Sequence, residues 1–232
     1  MKTIGMIGGM SWESTIPYYR QINQTIKQEL GGLHSAKVIL YSVDFHAIES
    51  LQRQGDWAQA GKMLAEIAQG LEKAGAELLV LCTNTMHIVA EQIQAAVAIP
   101  FIHIADPTAH AIKAQSLQKI GLLGTRFTME QAFYKDRLQQ HGLQVITPNE
   151  QDRVLIHRII YEELCLGVIN DHSRIEFQRI IAVLIEQGAQ AIILGCTEIS
   201  LLIQAQHASV PLFDTTSLHA KSAAFAALGK TE

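Results

Sequence analysis

Residues 74–85 read AGAELLVLCTNT, and residues 187–198 read QGAQAIILGCTE. Each stretch passes a glycine, runs through consecutive apolar residues and stops at a polar cluster. A short apolar run bounded by turn residues is the pattern of a strand buried on both faces. With Gly75 placed on Gly188, Leu81 falls on Leu194, Cys82 on Gly195 and Thr83 on Cys196. Two further pairs keep the same order: IGMIG at Ile4–Gly8 with IGLLG at Ile120–Gly124, and Pro100 in IPFIHIAD with Pro211 in VPLFDTT. Tyr18 and Tyr134 each follow the closing glycine of the first pair by ten residues. The offsets are 116, 113 and 111 (120−4, 188−75, 211−100), so the order holds with little drift. A duplicated unit explains this pattern. Strand grammar shared by all α/β chains is the alternative account.

Working outward, TIGMIGG, AKVILYSVDF, AELLVLCT and PFIHIAD read as strands. Helical stretches lie at about Trp12 to Leu30 and over 56–74. The pattern then restarts with KIGLLGT, a helix, LQVITP, two helical stretches, AQAIILGCT, a short helix, VPLFDTT and a last helix rich in alanine. Continuous apolar strands separated by helices predict parallel sheets covered on both faces, an α/β fold.

Composition narrows the function classes. The 232 residues are 48% hydrophobic and 17% charged, which marks a globular chain. The net charge is −4, and Lys and Arg form no stripe. Neither a nucleic-acid nor a membrane-surface partner is expected. No apolar run reaches bilayer-spanning length, and MKTIGMIGGMSW has no signal-peptide pattern, so a cytoplasmic location is expected. Three widely spaced cysteines, Cys82, Cys165 and Cys196, read as free thiols.

In open parallel sheets, ligands bind beyond the carboxyl ends of the strands. Thr83-Asn84-Thr85 and Cys196-Thr197-Glu198 both lie there. Helix capping is the plain alternative for Thr83, Asn84 and Thr85. The alignment makes Thr83 and Cys196 the equivalent strand-end positions. Cys82 sits one residue earlier, and neighbouring strand side chains point to opposite faces, so it is expected to be a buried residue of the sheet. Gly5, Gly8 and Gly9 do not have the G-x-G-x-x-G spacing, and IGGMSW reads better as a tight turn that lets backbone approach a small ligand. His46, His87, His103 and His110 lack ligand spacing and read as loop or core residues, so no metal site is expected. No G-x-S-x-G supports a serine triad.

IGGMSWEST at Ile7–Thr15, CTNTMH at Cys82–His87 and GCTEI at Gly195–Ile199 resemble the aspartate/glutamate racemase family, in order along essentially the whole chain. Gly9-Met10-Ser11 and Glu198 stand where glutamate racemases usually have Asp-Ser-Gly and a histidine, so the resemblance is to the aspartate racemase branch. It implies two similar α/β lobes related by a pseudo-twofold axis, with the site in the interlobe cleft. The expected lobes are residues 1–98 with 210–232, the last strand and helix crossing back, and residues 99–209. It also implies a homodimer and catalysis without a cofactor.

The chemistry that the resemblance implies is two-base exchange of the α-proton, one catalytic group on each face of the α-carbon. Those groups are Thr83 and Cys196. Asn84, Thr85 and Thr197 would hold the α-carboxylate, whose enolate-like form needs oriented donors. Met10, Ser11 and Gln52 would bound the rest of the amino acid, and Glu198 would hold its ammonium group. Arg126, in GTRFT, is the candidate for the side-chain carboxylate; a surface arginine is its alternative reading. The family motif is Cys-Asn-Thr, and here Thr83 replaces the cysteine. A threonine hydroxyl is a poor base without help. Cys196 is expected to work as a thiolate stabilised by the helix start, facing the L-amino acid, with Thr83 serving the D-face. Cys165 and Leu166 occupy EELCLG, where family members often carry a basic residue, which leaves aspartate, glutamate or a wider range as substrate. Two alternatives stand beside the racemase: a one-cysteine decarboxylase of the arylmalonate type, and an amino-acid-binding protein without catalysis.

Overall fold

Ile4–Gly8, buried throughout, forms the first strand, β1, and the computed structural model describes residues 1–230. Helix α1 (Trp12–Leu30) follows, with Glu13 in its first turn and Lys27 in its last, charges that suit the helix dipole. Next come β2 (Val38–Ser42), α2 (Phe45–Gln54), α3 (Trp57–Lys73) and β3 (Leu78–Leu81). A 3₁₀ turn (Thr85–Val89), α4 (Ala90–Ala95) and β4 (Phe101–Ile102) complete this half. Asp44 caps α2 through the amide of His46, and Gly55 ends it in the left-handed region at φ 72°.

The second half repeats the plan. It contains α5 (Ala105–Ala114), β5 (Lys119–Gly124), α6 (Arg126–Glu130), α7 (Ala132–Gln140) and β6 (Gln144–Ile146). It continues through α8 (Glu150–Glu162), α9 (Asp171–Glu186), β7 (Ala191–Gly195), α10 (Ile199–Leu202), β8 (Leu212–Asp214) and α11 (Thr215–Leu228). The strands form two parallel four-stranded sheets, ordered β2-β1-β3-β4 and β6-β5-β7-β8. The fold is α/β.

Strand register carries the repeat. Ile4 pairs with Leu78 in the first sheet, and Ile120 with Ala191 in the second. Leu79 pairs with Phe101, and Ile192 with Leu212. The offsets between the sheets are 116, 113 and 111 (120−4, 191−78, 212−101), the same values the alignment uses.

Each sheet face takes alternate residues. Ile4, Met6, Leu78, Val80 and Cys82 pack with Tyr18, Ile22 and Ile26 of α1 and with Ala220, Ala223, Ala224 and Ala227 of α11. The alanines allow α11 to approach the sheet closely. Ile7, Leu79 and Leu81 face the opposite way, onto Ile48 of α2 and Leu64, Ala68 and Leu71 of α3. In the second sheet Leu123, Ile192, Leu194 and Cys196 pack on Ile156, Ile159 and Ile160 of α8 and on Phe177, Ile180 and Leu184 of α9. Burying one such aliphatic side chain contributes about 1.5–3 kcal/mol, and these clusters hold the strand ends in place.

Two compact units result, Met1–Ile104 with the chain from His219 onward, and Ala105–Leu218. Their boundaries differ from those expected at 98/99 and 209/210. The strand at Phe101–Ile102 pairs with β3 and stays in the first sheet, while Leu212–Asp214 pairs with β7 and belongs to the second. Backbone pairing outweighs the crossing inferred for the last strand; only α11 crosses back to the first unit.

Candidate functional site

The first unit gathers its expected residues at the carboxyl ends of β1 and β3. After β1 the chain turns through Gly9 at φ 89°, where an added Cβ would lie 2.4 Å from the Val43 carbonyl oxygen, so only glycine fits. The Gly9 amide donates to Thr15 Oγ1 at 2.8 Å, and the Ser11 carbonyl accepts from Ser14 Oγ at 3.0 Å and Thr15 Oγ1 at 2.9 Å. This fixes a turn in which Met10 and Ser11 are both buried. On α2, buried Gln52 donates through Nε2 to Met86 Sδ at 3.0 Å.

Past β3, Thr83, Asn84 and Thr85 are all buried, Thr83 retaining 6% exposure. Capping does not explain Asn84: it precedes the 3₁₀ turn in an αR conformation and makes no side-chain cap hydrogen bond. The Thr83 amide donates to the Leu81 carbonyl at 2.9 Å, and its own carbonyl accepts from His87 Nδ1 at 2.8 Å. Cys82 is fully buried on the α1 face, and burial pushes its thiol far above the usual range. It is a core residue, as strand alternation requires.

The second unit holds Cys196, Thr197 and Glu198 at the end of β7. Cys196 retains 7% exposure, and Thr197 and Glu198 are buried. Glu198 Oε2 accepts from Cys196 Sγ at 3.0 Å and from Thr197 Oγ1 at 2.7 Å. Close backbone approach sets up this corner: a Cβ at Gly195 would lie 2.7 Å from the Leu123 carbonyl oxygen, and one at Gly124 2.7 Å from that of Gly195. Glycine at 195, where the first unit has Cys82, is thus demanded by the neighbouring strand.

The electrostatics of Cys196 correct one expectation. Burial first, then the Glu198 charge and the neighbouring Cys165, raise its thiol well above the ordinary range. Helix α10 spans four residues, too short to offset an adjacent carboxylate. The resting group is a thiol hydrogen-bonded to Glu198, not a thiolate stabilised by a helix start.

Arg126 lies two residues past Gly124, the register partner of Gly195. It follows β5 at the start of α6, and its guanidinium grips Glu130 at 3.0 and 3.2 Å. Its side chain remains 45% exposed.

Two neighbours of the candidate residues are not assigned to the site by the sequence pattern. Cys165, in the 3₁₀ turn Leu164–Leu166, packs against the Cys196 cluster and hydrogen-bonds Glu198, so two thiols share one carboxylate. The unusual EELCLG stretch was its signal. His87 bonds Thr83, and only its spacing from CTNT pointed to it. Among the described residues no group of three or more His, Cys, Asp or Glu side chains is placed to hold a metal ion. No described helix is long and apolar enough to cross a membrane.

The chain is similar to known proteins along most of its length. The model of the Asp/Glu/Hydantoin racemase family matches residues 7–223. The broad specificity amino-acid racemase RacX of Bacillus subtilis strain 168 is 26% identical over 227 residues, covering 94% of this chain and 95% of RacX. A candidate Asp/Glu racemase from Yersinia pestis, known from a crystal structure, is 62% identical with TM-score 0.91, over 98% of this chain and 100% of that one. The crystal structure of an aspartate racemase homologue from Pyrococcus horikoshii OT3 gives 34% identity and TM-score 0.84, over 98% and 100% of the two chains. The chain belongs to the Asp/Glu/Hydantoin racemase family.

Proposed function

We propose that this protein is a cofactor-independent amino-acid racemase that acts on L-aspartate, L-glutamate or both by two-base α-proton exchange. The observation that supports this reading most is the pairing of a buried thiol and carboxylate at the end of β7, Cys196 Sγ to Glu198 Oε2 at 3.0 Å, with Thr83 at the equivalent end of β3. Cys196 gives its proton to Glu198 and, as thiolate, takes the α-proton of the L-amino acid. Thr83 delivers its hydroxyl proton to the D-face and regains one from water, while Glu198 gives up to water the proton it took from Cys196. Before it accepts that proton, Glu198 is negatively charged and suits the substrate ammonium.

Removing an α-proton leaves an enolate-like carboxylate, which preorganised donors must stabilise. Asn84, Thr85 and Thr197 have that role, and Met10, Ser11 and Gln52 bound the remainder of the substrate. Arg126 receives the side-chain carboxylate, for which it must exchange its hold on Glu130. Mirror-image amino acids have equal free energy, so a preference for L-substrates is one of unequal binding and turnover in the two directions, not of one-way reaction. By its family resemblance the enzyme is a homodimer. Chiral chromatography of cofactor-free reactions tests the activity. D-aspartate or D-glutamate should accumulate from the L-enantiomer with no cofactor added. Turnover only with pyridoxal phosphate, or none with either substrate, overturns the reading.

A further inference from the structure

We propose that His87 is a positioning residue for Thr83: its ring clamps the Thr83 carbonyl to the Ile104 amide and so fixes the direction of the Thr83 hydroxyl. This rests on the reading of Thr83 as the D-face group.

The hydrogen bonds set the state of the ring. The Ile104 amide donates to Nε2 at 3.1 Å, so Nε2 carries no proton. The Thr83 carbonyl lies 2.8 Å from Nδ1 and can only accept, so Nδ1 carries the proton. His87 is therefore neutral, with one tautomer and both nitrogens engaged. It is buried, with Phe101, His103 and His219 around it at ring-centroid distances of 5.5, 4.5 and 5.9 Å.

A second clamp supports the first. His219 Nε2 faces the Ile102 carbonyl at 2.8 Å and must donate to it, which leaves Nδ1 to accept from Tyr18 Oη at 2.8 Å. Tyr18 and α11 thereby hold the end of β4, and His87 ties that end to the end of β3. Thr83 is then held by its amide on Leu81 and its carbonyl on His87. For a β-branched residue, fixing the backbone leaves few side-chain rotamers. A hydroxyl that works as a weak acid or base has most to lose from misplacement, because an error of about 1 Å can cost about 100-fold in rate.

The test compares His87→Ala, His87→Asn and His87→Gln in deuterium oxide. Loss of the α-proton is followed separately from the D- and the L-enantiomer of the substrate. Asn places a donor near the Nδ1 position and keeps the bond to Thr83; Gln places an acceptor near Nε2 and keeps only the bond to Ile104. The D-substrate rate should fall about tenfold or more in the Ala and Gln variants and recover in Asn, while L-substrate exchange changes less than about threefold. Equal losses on both enantiomers, no loss in the Ala variant, Gln matching wild type, or unfolding of all three variants would overturn the assignment. Wild-type protein that exchanges neither enantiomer removes the racemase reading itself and the assignment with it.

Discussion

Cys196 donates its thiol proton to Glu198 Oε2 at 3.0 Å, and the same oxygen accepts from Thr197 at 2.7 Å. The carboxylate plays two opposing parts. Its charge raises the thiol in the resting protein, yet in the proposed reaction it is also the acceptor for the thiol proton. Glu198→Gln separates the two. Alkylation of Cys196 by iodoacetamide should become faster at neutral pH, because the repelling charge is gone and more thiolate forms. Exchange of the L-substrate α-proton should fall about 100-fold, within the range typical of a lost acid–base group. Peptide mass spectrometry and NMR measure the two rates; unchanged alkylation would mean that the carboxylate does not control the thiol.

Stability in acid should track His87. Burial first, then the nearby His103 and His219, push its ring well below the usual histidine range. The unfolded chain takes up this proton below about pH 6.5, and the folded chain takes it up only at lower pH. The group's contribution is therefore full above about pH 6.5 and is lost as pH falls toward the depressed folded value. Thermal melts from pH 7.5 to 5 should show a steeper loss in wild type than in His87→Asn, which cannot protonate. Parallel curves would remove His87 as a source of acid sensitivity.

Arg126 offers a test of substrate choice. Its guanidinium is held by Glu130 at 3.0 and 3.2 Å and remains half exposed. If it receives the substrate's side-chain carboxylate, Arg126→Ala should raise KM for glutamate and aspartate about tenfold and leave kcat nearly intact, the pattern of lost uniform binding. Steady-state kinetics with both substrates decide the matter. An unchanged KM would leave Arg126 as a surface ion pair, worth about 1 kcal/mol or less.

Much of the fold was legible because strand chemistry is local. Buried apolar runs ending in glycine or in a polar cluster marked β1, β3, β5 and β7, and the alignment of Gly75 with Gly188 carried through to the pairing register. Helix α1 lies at the expected Trp12–Leu30. Helix α2 is not expected from the sequence pattern, which leaves residues 46–55 between the strand read to Phe45 and the helix read from 56, although Asp44 and Gly55 are its start and stop signals. Helix α5 was missed for lack of clear amphipathic spacing, and one expected helix after β5 is two, α6 and α7. The unit boundaries depend on which strands pair across long separations, which local pattern does not encode. At the candidate site, residue types and strand-end positions were readable. The share that Cys165 takes in Glu198, and the bond from His87 to the Thr83 carbonyl, arise only when distant segments pack.

The most direct test of the central claim is NMR of L-aspartate and L-glutamate in deuterium oxide with wild-type protein and with Cys196→Ala. The account predicts loss of the α-proton signal with wild-type protein and its retention, at least 100-fold slower exchange, with the variant. Exchange that survives in Cys196→Ala, or no exchange of either substrate by wild type, would contradict it.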